Sequence, residues 1–334
     1  MLIQDCILDA NVFVTAPFVR GEAEEVWLEA LNSGAIPTPL FELYRRADFL
    51  SFGSAPPFLR DDKHVLFSYF SMLVRSVMEA LTDADAQLKS FVETQKLTYD
   101  AGKNMRGESW DSTADARARK HFRDLLIACH SGLDALADLT ALFFTGLISR
   151  LTLGRSQFAR IEDWLKRPFP RFGLLPTPYD QPLRELYDAL HPLVLAQGPE
   201  TSWLPFMRLL RNKAEHLGQP VFRQIGLHDA TPKFYTFIPR QWPFIWEQHM
   251  TPPGQSVTAD ANFIPRYFQD ALVHQDIVTY AHGLRAKVRR VIHAGIDVLL
   301  KTYVIVENFG LNQAALAELH GNSEAYKFEY FIDS

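Results

Sequence analysis

The sequence predicts a mainly α protein, a helical bundle with small β additions. Three observations carry that reading. Apolar residues recur at three- and four-residue steps from Leu66 to Leu97, and a second helical stretch is apolar on most sides from Leu125 to Ile148. A further stretch, Ile264–Asn308, reads as a last long helix. Strand-like runs are short and confined to Cys6–Val14, Val221–Ile238 and Tyr326–Ile332.

Taken in order, Met1 to about Arg60 reads as a mixed extension. Cys6–Val14 has the composition of a short buried strand. Glu22–Asn32 carries Val26, Trp27, Ala30 and Leu31 at helical spacing, and Gly34 supplies a stop. The Ser, Gly and Pro content of Ser51–Pro57 predicts a linker. A bundle over 61–308 follows. Its first long helix spans Asp61–Leu97, and a polar connection, Tyr99–Asp111, leads to a second. Ser112 or Thr113 caps that second helix, which is expected to run to about Arg150.

Arg155–Lys166 predicts a shorter helix, and the five prolines of Pro168–Pro182 predict irregular chain. Leu183–Val194 returns to helix with an interruption at His191-Pro192. Ser202 caps a helix over Trp203–Leu217, which Gly218 and Pro220 end. Val221–Ile238 then suggests a hairpin turning at Asp229–Pro232. The helix over Ile264–Asn308 has a candidate break at Gly283, and residues 309–334 form a tail ending in an edge strand.

Composition sets outer limits. In 334 residues, 47% are hydrophobic and 25 are Phe, enough to bury a sizeable core and to exclude a low-complexity disordered chain. Charged residues interrupt both of the most apolar stretches, so no membrane span is expected. The opening MLIQDCILDA lacks a basic region followed by an apolar one, and two cysteines make no disulfide framework. A cytoplasmic location is the expectation. The net charge of −5 argues against holding nucleic acid by bulk charge and leaves room for local basic patches.

The chemistry-bearing segment is Trp203–Gly218. Trp203, Met207, Leu210, Ala214 and Leu217 make an apolar stripe. Arg208, Arg211, Asn212 and Glu215 cluster on another face, with His216 at its edge. Guanidinium groups beside an imidazole suit phosphodiester cleavage, since histidine moves a proton and arginine stabilises charge on the phosphorane.

Arg211-Asn212-Lys213-Ala214-Glu215-His216 resembles the Arg-polar-x-x-x-His signature of the HEPN superfamily. The resemblance implies an up-and-down helical bundle that forms a homodimer, with a composite site at the two-fold axis. It implies a metal-independent endoribonuclease of a toxin, defence or RNA-processing system, with no cofactor. An antitoxin or other partner protein accompanies some such systems. Carried over residue by residue, Arg211 takes the phosphate-binding role, Asn212 the orienting role and His216 proton transfer. Attack of a ribose 2′-hydroxyl would leave a 2′,3′-cyclic phosphate. The alternative reading is a non-catalytic HEPN-like module that binds a nucleotide, an RNA or a partner protein.

His130, Asp134 and Asp138 form a polar stripe on the otherwise apolar second helix. Carboxylates in such a place need partners. Either they support Arg211 or His216 from behind, or they make structural salt bridges to a neighbouring helix; a metal site is the third option by ligand type. Basic clusters at Arg117, Arg119, Lys120 and Arg123, and at Arg285, Lys287, Arg289 and Arg290, are either phosphate contacts or solvated helix faces. The aromatics of Phe234–Phe237 and Trp242–Phe244 suit base stacking or hairpin packing equally. Finally, Ile7–Val14 is similar to the first strand of PIN-domain nucleases, where Asp9 would bind a metal. A capping aspartate on a short strand accounts for the same residues.

Overall fold

A computed structural model describes residues 22–52, 62–103, 112–144, 147–148, 151, 156–169, 179–195, 203–216 and 277–306. Among them are eight helices and no strand: α1 (Glu22–Asn32), α2 (Thr38–Phe52), α3 (Asp62–Lys103), α4 (Ser112–Phe144), α5 (Phe158–Leu165), α6 (Asp180–Val194), α7 (Trp203–His216) and α8 (Ile277–Val306). The class is mainly α. The strands expected at Cys6–Val14, Val221–Ile238 and Tyr326–Ile332 lie outside the described residues, as does Asp9.

The frame is set by α3, α4 and α8. Phe70 meets Phe143 and Phe91 meets Phe122, with ring centroids 5.8 and 5.2 Å apart, so α3 and α4 form an antiparallel hairpin. The His121 ring and the Gln87 side chain bridge it at 2.9 Å. On α8 the matching runs the other way: Tyr280 lies by Phe122, Ile292 by Gly132 and Gly295 by Leu136. Thus α8 is parallel to α4. Glycine is what permits this approach. A Cβ at Gly295 would stand 3.1 Å from Leu136 Cδ1, and one at Gly132 would stand 3.3 Å from Ile292 Cδ1.

Two short helices extend the core at one side. Leu40, Leu43, Tyr44 and Ala47 of α2 are buried in the same cluster as the long helices. The expected linker at Ser51 is corrected, since Ser51 and Phe52 complete α2. Pro37 and Pro39 stand at the start of α2, where a proline forfeits only N–H groups that have no intrahelical acceptor. The Pro37 carbonyl accepts from Leu40 and Phe41 N–H at 3.1 and 3.3 Å. Gly34 does end α1, with φ +75 in the left-handed region.

Three further boundaries differ from expectation. α4 stops at Phe144 rather than near Arg150, because the chain must turn to bring Ser156 and Phe158 back onto its own side chains. α6 begins at Asp180 and passes through both Pro182 and Pro192, so neither the irregular stretch nor the interruption extends into it. Pro182 sits in the first turn. Pro192 sits in the last, and the helix still closes by Leu195 N–H donating to the His191 carbonyl at 3.0 Å. α8 runs unbroken through Gly283.

Among the described residues one helix, α4, has a segment (Ala116–Phe144) long and apolar enough to cross a membrane, and most of its most apolar stretch is buried inside the bundle. Its apolar length is explained by the three-helix frame it centres.

Gly283 offers a stability test. Nothing lies within 4 Å of a Cβ built there, and it occupies a helix interior. Gly283→Ala is therefore expected to stabilise the fold by about 0.5–1 kcal/mol. The denaturant midpoint should rise with unchanged slope. A fall would mean that α8 needs a weak point there.

Candidate functional site

α7 carries the Arg-Asn-x-x-x-His hexapeptide, and its apolar stripe holds it in place. Trp203, Leu204, Phe206, Met207 and Leu210 are buried. The Trp203 indole donates to the Leu193 carbonyl at 3.0 Å, and Phe206 packs edge-on against Tyr280 at 5.6 Å. α7 is thereby fixed against α6 and α8 with its Arg208–Asn212 face turned outward at one end and inward at the other.

The outward part is Arg211 with Asn212. The Arg211 guanidinium donates to Asn212 Oδ1 from Nη2 at 2.9 Å and from Nε at 3.3 Å. Asn212 is exposed and Arg211 half-buried, so the pair fixes a guanidinium at the protein surface. Glu215 and His216 occupy the last turn of α7, and their side chains lie outside the described set. The helix is continuous from Arg211 to His216, so five residues rotate the backbone by roughly 500° and leave the two positions about 140° apart.

The inward part is Arg208, which forms an ion pair through Nη1 with Glu162 of α5. Glu162 is only 1% exposed, whereas the Arg208 side chain retains 23%. The stripe on α4 comes to the same place. Asp134 Oδ1 accepts the Phe158 N–H at 2.8 Å, and its Oδ2 lies 3.1 Å from His130 Nδ1. Asp138 Oδ1 accepts the Ser156 N–H at 3.0 Å. Asp134 therefore caps the start of α5 from another helix, and Asp138 holds the residue before its N-cap. The local cap residue, Gln157, makes no side-chain capping bond.

Of the three options for this stripe, the geometry fits a structural one. Asp134 accepts the first backbone N–H of α5, at its positive end, and Asp138 accepts that of Ser156 just before it. Among the described residues no group of three metal-binding side chains converges. Glu162, which sequence reasoning passed over, has a signal in hindsight. Phe158, Ile161, Glu162 and Leu165 share one buried face of α5, and a lone acid in such a stripe demands a cation.

Electrostatics at this junction favour the charged carboxylate. Burial of Asp134 opposes ionisation, but the His130 hydrogen bond, the Phe158 N–H and the charges of His130 and Arg208 together outweigh it. Its carboxyl is held below the ordinary aspartate value. A depressed carboxyl stabilises the fold above the unfolded value, near pH 4, and that contribution is lost as pH falls through the folded value. Asp134→Ala should cost about 0.5–2 kcal/mol at neutral pH, as lost caps do. In acid denaturation series the gap between wild type and variant should close below about pH 4. A gap that persists unchanged at low pH would remove charge from the explanation.

The structure thus brings His130, Asp134 and Arg208 to one half-buried junction of α4, α5 and α7, with Asp138 beside it at the Ser156 end. Arg211 and Asn212 stand apart from it on the outer face. Scanned against protein-family models, curated proteins and solved structures, the chain matches none.

Proposed function

We propose that this chain is a HEPN-like, metal-independent endoribonuclease that acts as a homodimer, with α7 carrying the chemistry. The observation behind this reading is the Arg211–Asn212 pair. The asparagine oxygen takes two guanidinium N–H groups and sets the orientation of a half-buried cation beside the exposed Asn212. That is the arrangement a phosphate-binding arginine with a polar orienting neighbour requires.

In this reading the junction behind α7 is its foundation. Arg208 is committed to Glu162, so it anchors the helix, and Arg211 alone meets the scissile phosphate. His216 of the second protomer would take the proton from the ribose 2′-hydroxyl, because about 140° separates the two positions on one helix. Attack on the adjacent phosphate breaks the bond to the 5′-oxygen and leaves a 2′,3′-cyclic end.

The same angular divergence favours a second reading, a non-catalytic module that binds RNA, a nucleotide or a partner protein through the outer face of α7. Purified full-length protein with end-labelled RNA in EDTA separates the two. Cleavage with cyclic-phosphate ends is expected. Absence of cleavage by a folded dimer would transfer the proposal to the binding module, and linear 3′-hydroxyl ends would rule out this mechanism.

A further inference from the structure

A cleft of about 420 Å³ lies between the first turn of α2 and the middle of α8, away from α7. Pro37, Thr38 and Pro39 form one wall. The other carries Arg285, Arg289, Arg290 and His293, which successive turns of α8 bring to one side.

These cations are not equivalent. Arg285 is already used: it lies 2.6 Å from Asp85 Oδ1 and donates to the Gly34 carbonyl at 3.2 Å, which ties α8 to α3 and to the turn before α2. Arg289 and Arg290 form no ion pair or hydrogen bond among the described residues. Asp85 is the carboxylate whose charge reaches Arg289. Burial and the neighbouring Arg285 charge disfavour the Arg289 cation. Among the described residues, α8 thus brings Arg285, Arg289 and Arg290 to one concavity, with Asp85 as the carboxylate that offsets them.

We infer that this cleft binds a phosphate-bearing ligand through Arg289 and Arg290. Guanidinium forks match phosphate oxygens bidentately, and the cleft sets Arg289 and Arg290 side by side facing the Pro37–Pro39 wall. The volume falls within the range of small-molecule sites and exceeds what one phosphate fills. A free nucleotide and a stretch of RNA backbone share the chemistry. Among the described residues none of α7 lines the cleft, so the site stands whether or not α7 cleaves RNA.

The test is binding by the full-length chain of inorganic triphosphate, of ATP, and of a fluorescent single-stranded RNA of about 12 nucleotides. Wild type should bind at least one. The Arg289→Ala/Arg290→Ala double variant should bind roughly tenfold or more weakly. Ala286→Glu, which sets a carboxylate among the arginines while leaving both in place, should do the same and guards against misfolding of the double variant. Lys301→Ala, farther along α8 and paired with Asp297, should leave binding unchanged. Triphosphate and ATP binding would assign the cleft to a nucleotide. RNA binding without ATP competition, with a salt slope shallower by about 0.7 for each phosphate that the double variant no longer engages, would assign it to backbone. No binding by wild type, or equal binding by wild type and both cleft variants, overturns the site.

Discussion

His216→Ala is expected to slow RNA cleavage in EDTA by about 10²–10⁴-fold, the usual contribution of a positioned proton-transfer group. His216 is the last residue of α7, so the change should leave the buried Trp203–Leu210 stripe and the unfolding midpoint nearly untouched. Arg211→Lys keeps the charge but loses the fork that Asn212 orients. It should cost about 10²–10³-fold, as loss of one preorganised donor does. Mixing Arg211→Ala with His216→Ala protein then tests where the site is assembled. If arginine and histidine come from different protomers, random mixed dimers contain one intact site in two and restore about a quarter of wild-type activity. If they come from the same protomer, every site in a mixed dimer lacks one group and nothing is restored. Less than tenfold loss in His216→Ala would end the assignment of histidine as the proton carrier.

Helix periodicity carried most of the fold, because burial imposes it on the sequence directly. α1 and the body of α3 and α4 follow from stripes such as Phe70, Leu73, Val77 and Leu81, all buried. α2 did not follow, since Pro37 and Pro39 carry opposite meanings before a helix and within one. Close packing of α4 on α8 was also hidden. Gly132 and Gly295 lie 163 positions apart in the chain, and only the folded register shows that each makes room for the other helix. For the site, the hexapeptide on α7 and the polar stripe on α4 were both legible as residues that need partners. The partners themselves were not. Asp134 and Asp138 are satisfied by backbone N–H groups 24 and 18 residues later, and backbone donors have no letter in a sequence. Glu162 was legible in principle, as the one acid on the buried face of α5.

Arg208→Ala should be the most destabilising single change at the junction, costing about 3–5 kcal/mol in denaturant unfolding. The reason lies with the residue left behind. Glu162 is 1% exposed and cannot turn to water, so removal of Arg208 takes the cation away from a buried carboxylate. Glu162→Gln should cost clearly less, because Arg208 keeps 23% exposure and its long stem can carry the guanidinium outward. Replacing both partners, Arg208→Met with Glu162→Leu, removes the desolvated charges together and should return stability to near the wild-type value. That double variant also separates support from chemistry. With the fold restored, RNA cleavage that also returns would establish Arg208 as an anchor for α7. Cleavage that stays low would mean that Arg208 acts on the substrate, beside Arg211. A cost under about 1 kcal/mol for Arg208→Ala, the range of exposed pairs, would show that the pair is solvated and that apolar packing alone holds α5 to α7.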